Sequence, residues 1–194
     1  GHSRARHGFV FRSPRVSLSQ KKHLSNSMID LQPFCAFGAS AISSPWSFGN
    51  HTYATDGKML VRVERRPDVP ERPDAPGPVD ETIIAPHWPA AAHWSPLPQA
   101  PPTTVLDCEM CSGDGVHQCR CGDEHRCGYC RGTTQTTTWP VMKIGHRFIS
   151  ARYVQLTASL PGPVEMAAEH GAALEPLAVR FAGGVGLIMP LRDV

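Results

Sequence analysis

Six of the seven cysteines of this 194-residue chain fall between Cys108 and Gly132, in the stretch CEMCSGDGVHQCRCGDEHRCGYCRG. No other feature restricts folding as strongly. Cys108 and Cys111 are spaced C-x2-C, as are Cys127 and Cys130, and 15 residues separate the two pairs. Two residues between cysteines let one tight turn aim both sulfurs at a single ion, and this spacing between pairs is that of zinc sites. Two such turns close a tetrahedral shell of four thiolates with Zn–S bonds of about 2.3 Å. Such a shell leaves no open position for water, so a structural Zn2+ is expected at Cys108, Cys111, Cys127 and Cys130. Between 107 and 132 the sizeable apolar side chains, cysteine aside, are Met110, Val116 and Tyr129. The metal must therefore order the segment, with binding free energy on the order of 10–16 kcal/mol.

Cys119 and Cys121, with His117 and His125, form H-x-C-x-C-x3-H, a candidate second zinc site. One intervening residue makes a poorer knuckle than two. The alternatives are that this pair is unused, or that one of its cysteines displaces an outer one. Clustered, paired cysteines argue against a disulfide scaffold and suit an intracellular, cytoplasmic setting. Cys35 stands alone in FCAF and reads as a small buried apolar residue.

Charge is uneven. Residues 1–27 carry Arg4, Arg6, Arg12, Arg15, Lys21 and Lys22 and no acid, so of the net charge of +2 the remainder holds −4. A mildly acidic body disfavours a broad phosphate-binding face. The segment 1–27 reads as a tag or leader before a start at Met28, or as a disordered basic arm. No run of 18 apolar residues exists, so no transmembrane helix and no membrane partner are expected.

The body, 28–102 and 136–194, reads as one α+β domain dominated by antiparallel strands, with one clear helix. In HTYATDGKMLVRVE, Asp56-Gly57 sits between runs of alternating apolar residues. That pattern predicts a hairpin with a type I′ turn, and Met59, Val61 and Val63 on one face. Residues 67–102 hold 11 of the 19 prolines and are expected to be extended surface loop, pinned by Trp88 and Trp94. ETIIAPHW within it is a candidate edge strand. TTQTTTWPVMKIG reads as a strand. Ile149, Tyr153, Leu156 and Leu160 share one helical stripe, ended by Pro161-Gly162. Leu177, Val179 and Phe181 alternate before Gly183-Gly184, and Val185, Leu187 and Met189 after, which predicts a closing hairpin. The cysteine-rich stretch, 103–135, then reads as a zinc-knuckle insertion.

Two resemblances follow from these motifs. Cys108 to Gly115 matches the CxxCxGxG unit of J-domain co-chaperones, and Cys127 to Thr134 matches it except that Thr134 replaces the last glycine. The His-Pro-Asp triplet of a J domain is absent, so the knuckle carries over and the co-chaperone activity does not. Elsewhere, ATDGKML (Ala54 to Leu60), RFISARYVQLTASLPG and GLIMPLR (Gly186 to Arg192) are similar, in that order, to elements of a bacterial DNA polymerase processivity clamp domain. A clamp subunit strings several such domains and has no zinc insert, whereas this chain has room for one. The resemblance implies a pocket for a short partner peptide at Leu187, Met189 and Pro190; the alternative is that Leu187 and Met189 are core residues of the last strand. It also implies a setting in DNA replication or in the DNA metabolism of phages and other mobile elements.

No G-x-S-x-G, H-E-x-x-H or Walker lysine is present, so an enzyme is not expected. The expected function is a zinc-containing binding or adaptor protein with a protein partner. A zinc-ribbon nucleic-acid binder, using Arg120, Arg126 and Arg131, is an alternative. A chaperone-like binder of unfolded chains is another.

Overall fold

The computed structural model describes residues 29–38, 40–72, 79–90, 92–119 and 121–192. The basic segment 1–27 lies outside them. The architecture is α+β, dominated by antiparallel sheet, with one clear helix. Strands β1 (Trp46–Phe48), β2 (His51–Thr55), β3 (Met59–Glu64) and the two-residue β4 (Ser95–Pro96) come first. An arm follows, made of β5 (Thr104–Asp107), β6 (Val116–Gln118), β7 (Glu124–Arg126) and β8 (Gln135–Thr138). The chain returns through β9 (Val141–Ile144) and β10 (Arg147–Ser150) to a helix at Ala151–Ala158, and ends on β11 (Glu165–Met166), β12 (Leu177–Phe181) and β13 (Gly184–Ile188).

Seven strands form the central sheet, in the order β1-β2-β3-β13-β12-β11-β4. Strand alternation sorts the side chains between its faces. Ala54, Met59, Val61, Val63, Leu177, Val179, Phe181 and Ile188 go to one face, where the helix residues Tyr153 and Val154 pack with Ile149 and Leu160. Trp46, Tyr53, Leu60, Ala178 and Leu187 go to the other, covered by Val79, Ile84, Trp88 and Trp94 of the proline-rich segment. Each large side chain so buried contributes about 1.5–3 kcal/mol. The two indoles meet at a centroid distance of 5.2 Å, and the Arg180 guanidinium lies 4.6 Å from the Trp94 ring.

Several local expectations change. Thr55 pairs with Leu60, so the first hairpin loop holds four residues rather than a type I′ pair. Gly57 has φ +85°, and Asp56 is not in the left-handed region. Asp56 instead accepts from the amides of Lys58 (2.9 Å) and Met59 (3.0 Å) through Oδ1. ETIIAPHW is not an edge strand. Asp80–Ile84 forms a π-helical turn that runs into the short helix Ala85–His87. Pro86 stands at the start of the short helix, after a residue, Ile84, that is already helical. TTQTTTWPVMKIG splits at Trp139-Pro140 into β8, which pairs with β5, and β9, which pairs with β10. Ile149 lies on β10, and its stripe continues on the helix only from Tyr153. In the last hairpin Phe181 pairs with Gly184, so the turn is Ala182-Gly183 and Gly184 opens β13.

One buried charge organises the second half of the body. Arg147 is fully buried. Its guanidinium donates to the carbonyls of Glu175 (2.7 Å), Ala168 (3.1 Å) and His170. Burial draws its pKa down, and Glu175 and Glu169 oppose that shift. A single side chain thereby pins the 168–175 loop to β10.

Candidate metal centre and docking groove

The arm begins as a two-stranded stalk. β5 pairs with β8 from Thr104↔Thr138 to Asp107↔Gln135. Its side chains face solvent at nearly every position, Val105 and Leu106 included. Beyond it the chain makes two turns with matching backbone. Ser112 (φ +52°), Gly113 (+85°) and Gly115 (+79°) follow the first cysteine pair. Arg131 (+54°), Gly132 (+74°) and Thr134 (+68°) follow the second. The hydrogen bonds match too. The Cys108 amide donates to Thr134 O and the Cys127 amide to Gly115 O, both at 2.8 Å, while Asp114 N donates to Cys111 O and Thr133 N to Cys130 O. Thr134 thus takes the same left-handed conformation as Gly115, its counterpart in the first turn. At Gly115 a Cβ would meet Gly132 O at 3.1 Å, so glycine there also lets the two turns approach.

These turns bring Cys108, Cys111, Cys127 and Cys130 together as four buried, free cysteines whose sulfurs all lie within 4.8 Å of one another. A tetrahedron with Zn–S bonds of about 2.3 Å has edges of about 3.8 Å. The Cys108–Cys127 and Cys111–Cys130 sulfur separations are 3.9 and 3.6 Å. The donor set therefore fits Zn2+ in number, softness and spacing. The Gly115 amide donates to Cys111 Sγ at 3.1 Å, a bond that steadies a thiolate. Burial raises the Cys111 thiol to about 11. At Cys130 burial also pushes upward, but contacts with Cys111 and Cys127 outweigh it and bring that thiol to about 7.

A second group lies further out. Cys119, Cys121 and His125 place their donor atoms within 4.8 Å of one another. His117 is not in that group, although it stands opposite His125 in the β6–β7 pairing. Cys119 and Cys121 are joined as a disulfide. The described residues thus present two candidate metal-binding clusters, one of four cysteines and one of two cysteines and a histidine, consistent with one or two Zn2+ ions.

The arm and the body together wall a cleft of about 1030 Å³. Arg131, next to Cys130, reaches across so that its guanidinium lies 3.8 Å from the ring centre of Phe37. On the body side Tyr153 donates its hydroxyl to Asp56 Oδ2 at 3.0 Å, and Arg152 Nη2 stands 4.0 Å from the same oxygen. Cys35 lines this cleft as a buried thiol raised to about 11 by burial, in keeping with its reading as an apolar residue. The Asp56–Tyr153 pair spans 97 positions, and no sequence signal links them.

A separate, mainly apolar groove of about 350 Å³ opens on the other face of the sheet. Trp46, Leu60, Val79, Ile83, Leu187 and Met189 form most of its apolar wall. Leu187 is also part of the core, Met189 is half-buried, and Pro190 is buried and not part of the wall. Trp46 is 1% exposed, and its indole N–H has no hydrogen-bond partner among the described residues. Neither Trp46 nor Ile83 stood out in the sequence, because the groove joins β1, β3, β13 and the π-helical turn. No family model, no curated protein and no solved structure matches this chain. Among the described residues no helix is long and apolar enough to cross a membrane.

Proposed function

We propose that this chain is a non-enzymatic, zinc-containing adaptor whose groove at Leu187 and Met189 receives a short apolar peptide from a protein partner. The groove itself carries the reading: it is concave and mainly apolar, and it includes a buried indole whose donor has no partner among the described residues. The resemblance to a processivity clamp domain supports it, because the helix packs on the sheet and Met189 directly follows β13 of that sheet. On that resemblance the adaptor works in DNA replication or in mobile-element DNA metabolism. The test is peptide display on the zinc-loaded chain and on its Met189→Glu variant. Peptides with clustered apolar residues should be enriched on the first alone. Equal enrichment on both, or none on either, would remove the reading.

A chaperone-like role is the second reading, favoured by exposed Val105, Leu106, Met110 and Tyr129 along the arm. Suppression of aggregation that survives Met189→Glu and is lost on removing these side chains would favour it. Nucleic-acid binding through the arm has less support. Arg126 donates to Arg131 O, Arg131 stacks on Phe37, and Arg120 lies outside the described residues. It would require DNA affinity that falls steeply with salt.

A further inference from the structure

The tip of the β6–β7 hairpin carries two incompatible chemistries on the same atoms. Cys119 and Cys121 form a disulfide, yet their sulfurs and a ring nitrogen of His125 lie within the spread of donors round one ion. Asp123 Oδ2 lies 3.5 Å from Cys121 Sγ, but like His117 it is outside this group of three donors. The turn that gathers these groups is held by the backbone. Cys119 N donates to Asp123 O at 2.9 Å and Gly122 N to Cys119 O at 3.0 Å, with Gly122 at φ +91°. None of those bonds uses the sulfur–sulfur bond, so the turn can keep its shape when that bond is broken. Cys121, Asp123 and His125 are exposed, which gives a small thiol the access that disulfide exchange requires. The Cys108 cluster differs in both respects, being buried and unbridged.

We infer that this tip is a thiol-controlled second metal site: reduction opens a site for Zn2+ at Cys119, Cys121 and His125, and oxidation closes it. The inference rests on the zinc-containing reading of the arm. The reductant is a small thiol, RSH. Its sulfur attacks one disulfide sulfur, forming a mixed disulfide and freeing the other cysteine as a thiol. A second RSH releases the first cysteine and departs as RSSR. Two electrons enter the chain and two S–H groups form. Both protons pass to solvent when the thiolates take up the cation. In the reverse direction RSSR is the oxidant and the ion is expelled. Two soft sulfurs and one imidazole suit Zn2+ over Mg2+ or Ca2+.

Native mass spectrometry of the full chain with Zn2+, in excess small thiol and then in excess of its disulfide, tests this. Two zinc ions per chain are expected under the thiol and one under the disulfide. The double variant Cys119→Ser/Cys121→Ser should hold one in both. In the reduced chain His125→Ala should weaken the second ion by at least about tenfold, and His117→Ala should not. One ion in both redox states, or a second ion that persists in the double serine variant, would overturn the switch alone. No ion in either state would overturn both the switch and the four-thiolate zinc reading.

Discussion

The body and the arm of this chain contain strands of similar length held by different physics. In the body, Val61 and Val63 on β3 are almost fully buried, and the sheet is covered on both faces by apolar side chains. In the arm, Val105 on β5 is 55% exposed and Leu106 48%. Among the described residues no apolar layer covers that stalk. The loop it closes carries the four-cysteine candidate cluster, where bound metal would concentrate the ordering free energy at one point. A residue type therefore does not reveal what stabilises it. Valine is structural in the body because water is excluded there, and in the arm it stands exposed on a two-stranded ladder.

The largest expected effect separates the two directly. Chelating the zinc, or Cys130→Ser, should abolish order across 104–138, because binding free energy on the order of 10–16 kcal/mol is also the folding free energy of that segment. Hydrogen exchange should show loss of protection in the arm while β3, β12 and β13 stay protected. Equal loss in the body would break the comparison. The converse is Arg147→Met, which leaves three part-buried carbonyls without their donor and should cost about 1–3 kcal/mol. Urea unfolding should show this loss in the body, and zinc content should not change.

A smaller effect tests the Asp56–Tyr153 link between the hairpin and the helix. Burial first, then the Asp56 charge and its hydrogen bond, raise the Tyr153 phenol to about 12. The folded chain holds that proton more tightly than the unfolded chain, whose tyrosine titrates near 10. The contribution to stability is full below about pH 10 and is lost as pH rises to about 12. Asp56→Asn should lower the phenol's pKa, read by tyrosinate absorbance, and an unchanged titration would show that burial alone sets it. The smallest effect is Thr134→Gly. Relief of the left-handed threonine should stabilise the zinc-loaded arm by up to about 1 kcal/mol against the lost rigidity of the side chain. A decrease in zinc affinity would show that the threonine side chain contributes more than its backbone costs.

The legible parts of the fold were those with local causes. Alternation at Met59, Val61 and Val63, and at Leu177, Val179 and Phe181, gave correct faces because the pleat repeats every two residues. The illegible parts depended on distant partners. Asp56-Gly57 looked like a two-residue turn, but the Asp56 carboxylate is committed to two amides and to Tyr153, which lengthens the loop. ETIIAPHW has strand-like residues, yet Ile84 is buried under the sheet from a helical turn. Arg147 reads as an ordinary exposed charge until the 168–175 loop folds over it.

By itself the sequence determined the group of four cysteines, because two C-x2-C turns at this spacing can converge on one ion through local backbone geometry alone. It determined the faces of the long strands for the same reason, since both are short-range. The tertiary structure alone decided which of His117 and His125 joins Cys119 and Cys121. It decided that Leu187 and Met189 share a groove with Trp46 and Ile83, and that Pro190 does not. Those choices depend on strand register and on how a proline-rich segment lies across a sheet. Both are set by packing between residues far apart in the chain, which no local pattern encodes.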